Sequence, residues 1–139
     1  MKENIEMENI EMENINIKMT DSSPKVKLDY EKAFIEFEGK SFPENTFDFY
    51  EPIVQWIKNY FTEYERKTTT INIKLTYFNS ASTQILFDIF DAIQDNKTNE
   101  VIINWYYALD NENGLDDYED YSEEFEELNI NAVAYAEEV

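Results

Sequence analysis

The sequence predicts a single α/β domain with a mixed sheet of about five strands and three main helices packed mostly on one face. Two observations carry this. Stretches of period-two alternation, apolar then polar, take turns with stretches whose apolar residues recur every three or four positions. The resulting order, β-β-α-β-α-β-α-β, requires crossover connections and therefore a sheet that is at least partly parallel.

The N-terminus repeats itself: Glu3-Asn4-Ile5-Glu6-Met7, Glu8-Asn9-Ile10-Glu11-Met12, then Glu13-Asn14-Ile15-Asn16-Ile17. A five-residue period matches neither the helix nor the strand, and three short copies are too few for a solenoid. Residues 1–23 are therefore read as an acidic, poorly ordered extension whose last part can add a strand near residues 15–19. Removal of residues 1–20 is expected to leave the fold intact. The domain proper is placed at residues 24–139, after the linker Thr20-Asp21-Ser22-Ser23-Pro24.

Val26, Leu28 and Tyr30 then alternate with lysines and Asp29, and Ala33, Ile35 and Phe37 with Glu36 and Glu38, ending at Gly39. Together they read as a hairpin with one wet face. The period changes at Phe47, Tyr50, Ile53, Val54, Ile57, Tyr60, Phe61 and Tyr64, the stripe of a long helix. Asn45 suits its N-cap, and Pro52 predicts a kink or a late start.

Ile71, Ile73, Leu75 and Tyr77, alternating with Thr70, Asn72, Lys74 and Thr76, make the clearest strand. The polar run Asn79-Ser80-Ala81-Ser82-Thr83 leads into a second helix with Ile85, Leu86, Ile89, Phe90 and Ile93 on one face. A strand over residues 101–107 follows, then the loop Asp110-Asn111-Glu112-Asn113-Gly114. A third helix turns Leu115, Tyr118, Phe125 and Leu128 inward, and a strand near residues 130–136 closes the chain.

At 139 residues the chain has the length of one domain. An apolar share of 42% with 16% aromatics argues against global disorder. Net charge is −20, and residues 98–139 carry acidic side chains with no Lys or Arg. That field disfavours direct binding to nucleic acid or an anionic membrane. It suits a basic partner surface, and it also keeps a protein soluble.

Without cysteine there are no disulfides or thiolate metal sites, and without histidine the commonest general base and metal ligand is missing. The N-terminus has no apolar core of a secretory signal, and no run approaches ~20 apolar residues, the length a membrane span requires. A cytoplasmic protein is expected. A calcium loop with Gly114 at its sixth position would put Leu109 at position one and Asp120 at position twelve, so the frame fails at both anchors. Asp116/Asp117 and Glu123/Glu124 lie away from their helix's apolar stripe, as a solvated face rather than a convergent acid–base pair. With two glycines in all there is no phosphate-cradling loop. No cofactor, no metal and no enzymatic chemistry is expected.

Ser80 stands where a strand ends and a helix begins. Hydroxyls there ordinarily cap the helix. A phosphate at the same place would meet free N–H groups and the positive end of the helix dipole.

The chain resembles the SiaC family of regulatory phosphoproteins, from Pro24 to the C-terminus. The resemblance rests on Gly39-Lys40-Ser41-Phe42-Pro43-Glu44-Asn45, on Phe49-Tyr50 followed by Trp56, on Tyr77-Phe78-Asn79-Ser80-Ala81-Ser82 and on Trp105-Tyr106-Tyr107. It implies a STAS-like regulatory domain that acts as a partner switch. Such a protein is phosphorylated by a dedicated Ser/Thr protein kinase and dephosphorylated by a PP2C-like phosphatase. Its unmodified form binds a diguanylate cyclase and so promotes cyclic-di-GMP signalling and biofilm formation. The family's acceptor is the hydroxyl directly after Asn, here Ser80, with Ser82 and Thr83 as alternates. Ala81 replaces a family Ser, and the usual basic residue near Gln84 is missing. Asn79, Gln84, Phe87, Asp88 and Asp91 form the expected partner-binding surface. The alternative is an acidic binding module or decoy for a basic protein, in which Ser80 is only a cap.

Overall fold

Six strands, in the order of the chain, form one sheet: β1 (Ile15–Ile17), β2 (Lys25–Asp29), β3 (Phe34–Ser41), β4 (Thr68–Phe78), β5 (Glu100–Ala108) and β6 (Asn129–Tyr135). Three helices connect the last four: α1 (Thr46–Glu63), α2 (Ser80–Asn96) and α3 (Glu112–Glu124). The computed structural model describes residues 12–63, 68–97 and 100–136. The first two repeat copies up to Glu11, and Tyr64 and Arg66, lie outside the described residues.

β1, β2 and β3 pair antiparallel, whereas β3 through β6 pair parallel. Each parallel step moves one place in the same direction across the sheet. Right-handed crossovers then stack all three helices on the same side. Under them lie Ile35, Phe37, Ile71, Ile73, Ile103 and Trp105, all buried.

The opposite face has no helix on it and is polar. Glu36 is salt-bridged to Lys74 at 3.1 Å and to Lys25 at 3.9 Å. Asn72 donates to Glu36 at 3.4 Å, and Asn104 donates to Asn72 at 3.0 Å. This ladder explains why the strands alternate in sequence although they pair in a largely parallel sheet.

The strand count exceeds the expected five because the third repeat copy forms β1. Met12 is buried in the core, the Trp56 indole N–H donates to the Glu13 carbonyl at 2.7 Å, and the Tyr30 amide donates to Asn14 Oδ1 at 3.0 Å. The turn before β2 is also held, by the Phe42 amide on the Ser22 carbonyl at 2.7 Å. Residues 12–23 thus pack on the sheet: a strand forms at residues 15–17, within the 15–19 stretch that the sequence allowed one, and the loose order expected around it is not seen in residues 12–23.

α1 is capped as its sequence predicts, with the Asp48 amide donating to Asn45 Oδ1 at 3.0 Å. It runs through Pro52 without ending. As the seventh of 18 residues, the proline forfeits one backbone bond, to the Asp48 carbonyl, and the buried Tyr50, Ile53, Trp56 and Ile57 on either side hold the helix against the core.

β4 departs from its apparent alternation. Gly39 pairs with Leu75 but Lys40 with Tyr77, leaving Thr76 as an extra residue. One extra residue reverses which face the later side chains take. Tyr77, expected inward, is 52% exposed, while Phe78 meets Trp105 edge-on at 6.1 Å. Gly39 at the bulge has φ +116°, a conformation that strains any residue with a Cβ.

In α3 the inward set shifts as well. Leu115 is exposed, and the buried anchor is Tyr121, which lies against Phe87, Phe90 and Trp105 at 4.7–5.4 Å between ring centres. Asp117 beside it is half-buried. Burial, then Asp120 and Asp116, push its carboxyl above the ordinary value. The folded state therefore prefers the protonated acid, and near neutral pH the ionised form costs stability. Asp117→Asn is expected to raise Tm at pH 7. The gain should vanish once the pH falls below the ordinary carboxylate range, where both forms of the wild-type chain are neutral; thermal melts at the two pH values check this.

Candidate functional site

The junction between β4 and α2 is built on Asn79. Its backbone amide donates to the Ser41 carbonyl at 3.0 Å, tying the end of β4 to the end of β3. Its side-chain oxygen accepts from the Ser82 amide at 2.9 Å, and its carbonyl accepts from the Thr83 amide at 2.9 Å and the Thr83 hydroxyl at 3.1 Å. Asn79 is therefore the N-cap, and Ser80 is the first residue of the helix.

The three candidate hydroxyls, Ser80, Ser82 and Thr83, separate sharply in this geometry. Ser82 is fully buried: its hydroxyl donates to the Ser41 carbonyl at 3.0 Å and contacts Ser41 Oγ at 2.8 Å. Ser41 Oγ also contacts the Tyr50 hydroxyl at 2.6 Å. A carbonyl can only accept and each hydroxyl has one proton. The chain of donation must therefore run from Tyr50 to Ser41 Oγ, to Ser82 Oγ, to the Ser41 carbonyl. Burial raises the Tyr50 phenol above its ordinary pKa, against the lowering effect of the two serines, which keeps it a donor. Thr83 is half-buried with its hydroxyl on Asn79. Ser80 alone is exposed, and among the described residues its hydroxyl makes no hydrogen bond.

The expected partner surface divides in two. Gln84, Asp88 and Asp91 are exposed along one stripe of α2, with Gln84 Nε2 donating to Asp88 Oδ1 at 3.3 Å. Phe87 turns aside and is half-buried against Tyr121 and Phe125. Asn79 is occupied as the cap. A groove of about 480 Å³ lies between α1 and α2, over Val54, Ile85 and Ala92, with Phe47 exposed at its border. Sequence reasoning put Phe47 in the buried stripe because its spacing is that of Tyr50 and Ile53. It also missed the roles of Ser41 and Tyr50, which meet Ser82 only through the sheet.

The Asp110–Asp120 stretch is helical from Glu112, which sends its carboxylates around a cylinder. Among the described residues no three acidic side chains cluster as a metal would need, and no helix is long and apolar enough to cross a membrane.

Fold and site together define a one-sided α/β module with a solvent-facing hydroxyl at the mouth of its second helix. The chain belongs to the SiaC family of regulatory phosphoproteins, whose family model matches residues 17–135. The match begins at the last residue of β1. The chain is 24% identical over 107 residues to an uncharacterized protein of Pseudomonas aeruginosa strain UCBPP-PA14, covering 76% of this chain and 84% of that one.

Two solved structures share the fold at 21% identity. One is from the complex of diguanylate cyclase SiaD with its activator SiaC from Pseudomonas aeruginosa, with a TM-score of 0.80 over 87% of this chain and 99% of the other. The second is SiaC of Pseudomonas aeruginosa, with a TM-score of 0.74 over 89% of this chain and all of the other.

Proposed function

We propose that this protein is a non-enzymatic regulator that binds a target protein and is switched by phosphorylation of Ser80. The observation that carries this reading is that Ser80 is the one exposed hydroxyl in the Asn79–Thr83 junction of a chain from a regulatory-phosphoprotein family. A kinase needs its acceptor hydroxyl free of the fold. Ser82 would have to leave its hydrogen-bonded chain, and Thr83 its cap.

A phosphate on Ser80 adds close to two negative charges. It would sit beside the free amides of the first helical turn, which favour an anion, so the fold accepts it. The effect falls on the surface. Asp88 and Asp91 already give this stripe of α2 negative charge, and a partner docked there has to desolvate or repel the added group. The target we propose is a diguanylate cyclase, because the SiaC relative is described as the activator of SiaD. A protein kinase and a PP2C-like phosphatase would set the phosphate level.

The test is to recover wild type and Ser80→Ala from the native cell and map their phosphopeptides. Phosphate on the Ser80 peptide of wild type, and none on Ser80→Ala, is the expected result. Equal phosphate on both proteins, or phosphate on Thr83 alone, would overturn the assignment. Ser80→Asp should fold normally and bind the co-purifying partner at least about tenfold more weakly, a change of ~1.4 kcal/mol. The partner is tested separately: added to a cyclase from the same cell, unmodified protein should increase cyclic-di-GMP output, whereas the Ser80→Asp form should not.

A further inference from the structure

We propose that the edge of β2 is a docking slot for the Met-Glu-Asn-Ile motif, and that a second repeat copy, residues 7–12, competes with residues 12–17 to fill it. This is independent of the reading of Ser80.

Each contact that holds β1 is made by a repeat position. Met12 fills the core, the Glu13 carbonyl takes the Trp56 indole N–H, and Asn14 Oδ1 takes the Tyr30 amide. Ile15 and Ile17 pack half-buried against the core, while Asn16 points to solvent opposite Lys27. Met7-Glu8-Asn9-Ile10-Glu11-Met12 supplies the same four residues in the same order, five positions earlier. The carbonyl of Glu8 and the amide side chain of Asn9 offer the same acceptors. The two differences fall at tolerant places. Glu11 would stand opposite Lys27, an attractive cross-strand pair, and Met12 would replace Ile17 at a half-buried position.

The exchange is discrete. A slip of one residue turns every side chain to the wrong face, a slip of two puts Glu13 at the half-buried Ile15 position, and slips of three and four place Asn9 or Glu8 where Met12 is buried. Only a slip of five restores the pattern. The displaced residues 13–17 would join the connection to β2, and loop closure depends only weakly on such added length. The first copy competes poorly, because Lys2 would occupy the apolar Met12 position.

The connection that lengthens leads to Met19, Thr20 and Asp21, which wall a cleft of about 630 Å³ on the open sheet face with Lys74 and Tyr106. Exchange of the copies therefore alters the tether of that wall, although β2 to β6 stay in place.

The chain has no cysteine, so engineered pairs read the register directly. Directly opposed residues of antiparallel strands lie at a Cα separation that a disulfide spans. Asn16→Cys/Lys27→Cys reports the arrangement seen here, and Glu11→Cys/Lys27→Cys the exchanged one. Glu8→Cys/Lys27→Cys is out of register in both. Under mild oxidation the Glu11 pair should close within one chain at least about tenfold faster than the Glu8 pair. Adding Ile15→Asp, which disables the third copy, should leave the protein folded and speed the Glu11 pair further. Closure no faster than the Glu8 pair, no response to Ile15→Asp, or unfolding by Ile15→Asp alone would each overturn the proposal.

Discussion

Deleting residues 1–19 is expected to cost at least about 3 kcal/mol and lower Tm by roughly 10 °C or more. Met12 leaves the core, and large-to-small changes at such sites cost about 2–5 kcal/mol. The Trp56 indole loses its acceptor at Glu13, and an unsatisfied part-buried donor costs about 1–3 kcal/mol. The two losses overlap and do not simply add. The edge of β2, with Val26 and Leu28 beneath it, also becomes open to pairing with other chains. Deleting only residues 1–6, which spares Met7 through Ile17, should shift Tm by no more than a degree or two on the same scale. Thermal melts of the two truncations decide it: equal Tm values would show that β1 contributes nothing.

Tyr121→Ala is expected to be as damaging, at about 3–5 kcal/mol for an aromatic cut from a core. Tyr121 is where α3, α2 and β5 meet. Its ring lies 4.9 Å from Trp105 and 4.7 Å from Phe87, and its hydroxyl donates to the Thr83 carbonyl at 3.4 Å. Burial, reinforced by the nearby charge of Asp117, raises its phenol well above the ordinary value, so the group stays a neutral donor. Leu115→Ala, on the same helix but exposed, should cost under about 0.5 kcal/mol, as surface changes do. Chemical denaturation of both variants gives the comparison. A loss for Leu115→Ala matching that of Tyr121→Ala would contradict the packing of α3. Since Tyr121 bonds the first turn of α2, Tyr121→Ala should also loosen the helix that begins at Ser80.

Local chemistry was enough for much of this protein. Period and spacing alone separate strands from helices, because side chains alternate across a strand and recur every three to four residues on a helix. Asn45 announces its cap, since a short amide before an apolar stripe satisfies amides the helix leaves open; at the second helix the hydroxyls were expected to cap, whereas Asn79 takes that place and Ser80 begins the helix. The one-sided sheet was legible in the polar residues between Ile71, Ile73 and Leu75, and the family in four short motifs.

What depended on the neighbouring strand was not legible. Tyr77 continues the alternation of β4 in sequence, and it is turned outward by an extra residue measured only against β3. The repeat looks aperiodic by itself, yet its third copy becomes β1 because Trp56 and Tyr30, far along the chain, hold its acceptors. Among the hydroxyls, Ser80, Ser82 and Thr83 are near-equivalent in one dimension. Ser82 is taken out of solvent by Ser41 and Tyr50, from two other elements, and Ser80 is left facing water. A residue's type and spacing are local quantities, whereas a hydrogen-bond partner forty residues away exists only once the chain has folded.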